Sequence, residues 1–204
     1  MIVLLVHGFN VSDPERTIGG MAPHLRDRGH DVHTFCYGHA GFIDVRFANE
    51  NLSYAIASQV RSIKALKPEL EVVLVGHSNG AALIHRAAEL QGTPLFTRCV
   101  YVSPALDNKA ELPPLLTRCD VMHTQKDTAV SFGSFMLFHK WGNMGKVGYR
   151  GDDPRYHNID CSKQVAGHSE WFRPETLGFT LGVLDEVLSA SPSDLRPADF
   201  SLPR

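Results

Sequence analysis

The chain has 204 residues, 43% of them hydrophobic and 21% charged, and a formal net charge of −2. That length fits one domain able to bury roughly 70% of its unfolded surface, so its core requires no disulfide or metal staple. The near-neutral charge provides no basic field to hold a nucleic-acid backbone, and nucleic acid is not an expected partner.

The first element is the apolar run Ile2 to Val6, read as a strand buried on both faces. It is too short for a signal-peptide core or for the roughly 20 residues of a membrane helix, and no basic segment precedes it. The expectation is a cytoplasmic protein with no stable membrane insertion. Residues 17–28 carry Ile18, Met21, Ala22 and Leu25 at helical spacing, with Gly29 as a stop. Val32 to Tyr37 reads as a second strand. Residues 51–66 place Leu52, Ile56, Val60, Ile63 and Leu66 on one helical face, with Pro68 just beyond.

A third strand, Val72 to Val75, enters Gly76-His77-Ser78-Asn79-Gly80, and a helix follows to about Leu90. Cys99 to Val102, Asp120 to His123 and Asn158 to Cys161 supply three more strand candidates. Residues 174–188 form a last amphipathic helix with Pro174 in its first turn. Strands alternating with helices predict a single-domain α/β fold over residues 1–188: a mostly parallel sheet of about six strands, flanked by helices. Residues 189–204 read as a flexible tail. Residues 128–157 are too long for a plain connector and form a candidate lid or insert. Cys36, Cys99, Cys119 and Cys161 fit no metal or disulfide spacing, and each is expected as a small buried hydrophobe in or beside a strand.

Gly76-x-Ser78-x-Gly80 is the strongest signal, because it follows a β-branched strand and opens a helix. The chain must reverse sharply there, so the residues two positions either side of Ser78 must be tiny. A plain Gly-Ser turn with Ser78 as helix cap is the competing reading. A serine hydroxyl needs a base, and the chain holds 11 histidines, so position must choose among them. His168 follows the last strand candidate and precedes the last helix. His157 sits at or before a strand start, and His139 falls in the irregular segment. Asp127 lies just past the fifth strand. Asp107 is a weaker candidate, and Asp152 and Asp153 look like turn residues beside Pro154. Ligands in such sheets sit beyond the carboxyl ends of the strands, where His7-Gly8-Phe9 also lies. Arg150 and Arg155 read chiefly as solvated charges, with anion binding as the minor alternative.

His7-Gly8-Phe9, the Gly76–Gly80 elbow, Asp127 and His168, in that order, resemble the α/β-hydrolase superfamily, specifically its minimal lipases and esterases with about six strands and no large cap. The resemblance implies a Ser78–His168–Asp127 triad, since the family order is serine, acid, histidine. It implies an oxyanion hole from the backbone N–H groups of Phe9 and Asn79, of which only the backbone is asked to act. It implies hydrolysis of a small-molecule carboxylic ester or thioester through an acyl-enzyme on Ser78, with no metal and no organic cofactor. Phe132, Phe135, Met136, Leu137, Phe138 and Trp141 form either an apolar lid or acyl-pocket wall, or an ordinary buried helix; Phe132, Phe135 and Trp141 are the candidate substrate contacts. An acyltransferase on the same triad and a non-catalytic binding protein of the same fold stand as alternatives, and nothing in the sequence sets an oligomeric state.

Overall fold

The computed structural model describes residues 1–9, 11, 13–38, 42–129 and 142–190. Its strands are β1 (Ile2–Val6), β2 (Asp31–Phe35), β3 (Val72–His77), β4 (Arg98–Val102), β5 (Arg118–His123) and β6 (Tyr156–Asp160). They form a six-stranded sheet in the order β2-β1-β3-β4-β5-β6, with every pairing parallel. The helices are α1 (Ala22–Asp27), α2 (Phe42–Leu66), α3 (Asn79–Leu90), α4 (Met144–Val147) and α5 (Pro174–Ser189).

The unbroken apolar composition of β1 follows from its place inside the sheet. Successive residues point to opposite faces, and both faces are covered. Ile2, Leu4 and Val6 pack with Ile56 and Val60 of α2 and Leu83 and Ile84 of α3. Val3 and Leu5 pack on the other side with Ile18, Met21 and Leu25 and with Leu181 and Leu184 of α5. Full burial of each such side chain contributes about 1.5–3 kcal/mol. Trp171 is wholly buried in this second layer, where its indole N–H donates to the Ser103 hydroxyl at 2.9 Å.

The expected fold class is the observed one, with differences at element ends. The helix read over 17–28 begins as a 3-10 turn, Ile18–Met21, and becomes α-helical only at Ala22. In that turn a Cβ on Gly19 or Gly20 would lie 2.6 or 2.4 Å from the carbonyl oxygens of Pro14 and Glu15. The second strand stops at Phe35 instead of Tyr37, which is drawn into side-chain bonds described below. The helix read from residue 51 starts at Phe42, and its last residue, Leu66, is 83% exposed beyond the reach of the sheet, not on the core face. The sixth strand is shifted toward the N-terminus, to Tyr156–Asp160. Cys99, Cys119 and Cys161 are buried as expected, whereas Cys36 is exposed, because it follows the end of β2. No helix of the described residues is long and apolar enough to cross a membrane.

Gly80 is the most tightly constrained glycine at the junction of β1 and α3. A Cβ there would meet the carbonyl oxygens of Val6 and His7 at 2.3 and 2.6 Å, and backbone atoms cannot rotate away. Gly80→Ala is expected to destabilise the fold by about 1–3 kcal/mol or more, measurable as a lowered midpoint in urea unfolding. An unchanged midpoint would show that the helix can lift off β1.

Candidate active site

The carboxyl ends of four parallel strands converge on one edge of the sheet. β3 ends at His77, and the chain turns through Ser78 into α3. Ser78 has φ 55° and ψ −122°, a conformation rare for any residue with a side chain. Strain of this kind costs on the order of 1–3 kcal/mol and survives only where the surroundings over-determine it. Here the Ser78 N–H donates to Val102 O at 3.0 Å, and its carbonyl accepts from the Ala81 and Ala105 N–H groups. The flanking glycines are required by contact: a Cβ on Gly76 would sit 2.7 Å from Ala81 N, Gly80 C and the Ile84 side chain.

β1 ends at Val6 and delivers His7-Gly8-Phe9 beside the same turn. A Cβ on Gly8 would lie 3.0 Å from the Ser78 Cβ and 3.1 Å from His77 Nδ1. A side chain here would force Ser78 or His77 to give way by a few tenths of an ångström, which glycine avoids. Asn79, the residue after Ser78, is the first residue of α3. The first N–H groups of a helix have no intrahelical acceptor and carry the positive end of its dipole.

Beyond β5, the chain reaches Asp127, whose carboxylate is fully buried. Asp127 Oδ2 lies 2.7 Å from His168 Nδ1, and its Oδ1 accepts from the Ala129 N–H at 3.1 Å. The loops after β5 and β6 are tied together, which fixes this pair across 41 residues of sequence. Cys161 N–H donates to His123 O, the Thr124 hydroxyl to Val165 O, and Gln125 N–H to the Ser162 hydroxyl. The other acidic candidates are engaged elsewhere: Asp107 caps the Lys109 N–H, and Asp153 pairs with Arg155. His157 lies in β6 opposite Asp120, away from the carboxyl edge.

Gly8, Phe9, Ser78 and His168 line a cavity of about 340 Å³, together with Val11, Asp13, Arg16, Thr17 and Phe172. Arg16 and Asp13 form a surface ion pair, 3.2 Å apart. Phe132, Phe135 and Trp141, with Met136, Leu137, Phe138 and His139, lie outside the described residues. Arg155 serves the fold: its guanidinium bonds Asp153 and the carbonyls of Leu112, Pro113 and Leu116. Among the described residues, no group of three or more His, Cys, Asp and Glu side chains is disposed to hold a metal ion.

Sequence reasoning missed two features here: the role of His77 and the side-chain partner of Asn79. His77 is buried directly before Ser78, its ring 4.8 Å from that of His168 and edge-on to Phe172 at 5.0 Å. His77 Nε2 lies 3.0 Å from the His168 carbonyl oxygen, so its proton on that nitrogen holds the His168 loop. Burial, aided by the neighbouring His168, pushes the His77 pKa down to about 3, and the ring stays neutral. The second is Asn79, whose side chain is fully buried and forms a reciprocal amide pair with Asn49, at 3.0 and 3.2 Å. The side chain thus has a structural partner, separate from the backbone N–H expected to act at the oxyanion. His77 was legible as part of the elbow; Asn49 lies 30 residues away and carries no local signal.

The alpha/beta hydrolase family model matches residues 3–199, and the chain belongs to that family. An esterase from Pyrococcus furiosus is 15% identical, with a TM-score of 0.61 over 92% of this chain and 80% of that one. A lipase from Bacillus licheniformis is also 15% identical, with a TM-score of 0.59 over 92% and 91%. Phospholipase PlaB from Legionella pneumophila is 20% identical with a TM-score of 0.44; the match takes in 52% of this chain but only 25% of PlaB. At these identities the likeness is one of fold. No curated protein matches the sequence.

Held neutral by burial, His77 is expected to make the protein less stable in acid. The unfolded chain protonates this imidazole near 6.5, the folded chain only near about 3. Between those values the unfolded state binds more protons, so stability is unaffected above the window and falls as pH drops through it. At pH 5 the loss from this one residue is about 2 kcal/mol. Thermal unfolding between pH 7 and 5 should show a falling midpoint, with a shallower slope in His77→Gln. Equal slopes in the two proteins would mean that His77 is not held neutral.

Proposed function

We propose that this hydrolase cleaves a carboxylic ester or thioester through an acyl-enzyme on Ser78. The observation that carries this reading is the shared cavity: Ser78, His168 and the Gly8–Phe9 loop line one space, with the Asp127 carboxylate directly behind His168. In this reading the Asp127 carboxylate accepts the His168 Nδ1 proton. That fixes the tautomer, leaving Nε2 as the base for the Ser78 hydroxyl. Ser78 Oγ attacks the acyl carbonyl, and the backbone N–H groups of Phe9 and Asn79 receive the developing oxyanion. His168 then passes its proton to the departing alkoxide or thiolate. A water, deprotonated by the same imidazole, releases the acid and restores Ser78. The positive φ of Ser78 supports the assignment, because a turn this strained persists at functional sites more than elsewhere.

The substrate expected is a small-molecule ester. Wild-type protein should turn over p-nitrophenyl acetate, butyrate or octanoate with an initial burst, and a fluorophosphonate should label Ser78. Ser78→Ala, folded by circular dichroism, should lose both. Asp127→Asn should keep the geometry but lower kcat by about 10⁴-fold, by favouring the wrong tautomer. Burst and label both absent from wild type would leave a non-catalytic binding protein; turnover that rises with added alcohol, giving transesterified product, would favour acyl transfer.

A further inference from the structure

The loop that follows β1 is held by a residue 30 positions away. Tyr37 contacts it in three ways. Its ring stacks on His7, with centroids 4.1 Å apart and planes 15° apart. Its backbone N–H donates to His7 Nε2 at 3.2 Å. Its hydroxyl donates to Gly8 O at 2.8 Å, with His7 O at 3.2 Å. Because His7 Nε2 accepts a hydrogen bond, its ring proton sits on Nδ1, and this N–H also reaches Gly8 O, at 2.8 Å. The Gly8 carbonyl thus receives two donors, from His7 and from Tyr37.

That arrangement constrains a specific peptide plane. In a trans peptide the C=O of Gly8 and the N–H of Phe9 lie in one plane and point in opposite directions. Two bonds on the Gly8 oxygen therefore set the direction of the Phe9 N–H. The Asn79 amide lies near the Tyr37 hydroxyl and favours its ionised form, against the larger effect of burial, and Asn79 is in turn paired with Asn49 of α2. One phenol oxygen thus stands between the Gly8–Phe9 peptide, which it bonds, and the side chain of Asn79, which lies near it. Phe9 and Asn79 stand 70 apart in sequence and belong to different elements, so their relative position is not set by local structure.

We propose that Tyr37 is a positioning residue for the oxyanion-binding groups, its hydroxyl locking the Gly8–Phe9 peptide to the first turn of α3. The inference rests on the ester-cleaving reading above. It also accounts for the buried amide at position 79, which lies beside Tyr37 and is paired with Asn49. Burial raises the Tyr37 pKa to about 12, so the phenol keeps its proton and remains a donor throughout the working range. Burial also lowers the His7 pKa, which preserves the Nε2 lone pair that accepts the Tyr37 N–H.

The test is Tyr37→Phe, which keeps the ring stack and the backbone bond and removes only the hydroxyl. Its kcat for p-nitrophenyl butyrate should fall roughly 10- to 100-fold, below the 10²–10³ expected for losing an oxyanion donor outright, with KM little changed. Inhibition by butylboronic acid, whose tetrahedral adduct on serine places an oxygen among the same donors, should weaken by a similar factor. A role confined to stability would lower the melting midpoint and leave kcat and the boronate inhibition constant of the folded protein unchanged, and that result would overturn the proposal. Wild-type protein run alongside separates the two layers: a wild type with neither turnover nor fluorophosphonate labelling would bring down the ester-cleaving reading, and this inference with it.

Discussion

Everything at the carboxyl edge depends on one turn, the reversal at Ser78 between β3 and α3. A residue with a side chain is held there at positive φ, against local preference, and the cost is offset by contacts that no neighbouring residue could make if it were larger. Gly76 lets α3 descend onto its own strand, Gly80 lets α3 touch the carbonyls that end β1, and Gly8 lets the loop after β1 lie against Ser78. Three glycines from two segments thus serve one geometric demand. The bonds from Ser78 to Val102, Ala81 and Ala105 close the remaining freedom.

The parallel sheet supplies the rest. Because every strand runs the same way, the loops after β1, β3, β5 and β6 all emerge on one edge, and residues as distant as His7 and His168 become neighbours. Convergence by topology is only approximate to a few ångströms. The ångström-level placement of Asp127 against His168 comes from the ties between the loops after β5 and β6, where backbone and hydroxyl groups of Thr124, Gln125, Cys161 and Ser162 interlock. The indole of Trp171 does similar work for the loop carrying His168, since it anchors to Ser103, a second residue held at positive φ.

The electrostatics of the edge are selective. His7 and His77 are both driven toward the neutral state by burial, and each uses its neutrality: His7 as simultaneous donor and acceptor in the loop after β1, His77 as a donor to the His168 carbonyl. His168 alone among the three has a carboxylate on its ring. A positive charge formed on His168 would have Asp127 to stabilise it and no permanently charged imidazole beside it to oppose it.

The sequence by itself determined the fold class and the order of the strands along the chain, and it pointed to Ser78, His168, Asp127 and the Gly8–Phe9 loop, which lie together at the edge. Hydrophobic period and glycine spacing are local signals, and Gly76-x-Ser78-x-Gly80 between a β-branched strand and a helix marks a sharp turn of the kind α/β-hydrolases use. The ends of elements were less legible. The start of α2 at Phe42, the 3-10 turn before α1 and the exposure of Cys36 and Leu66 depend on where neighbouring elements stop covering a surface. The network of Tyr37, Asn79 and Asn49 was invisible for the same reason. Tyr37 read as the end of a strand, because nothing within several residues of it marks a partner. Its partners are brought to it by the packing of α2 on α3 and of β2 beside β1, and hydrogen bonds between residues 30 apart are decided by tertiary geometry, not by any pattern in the chain.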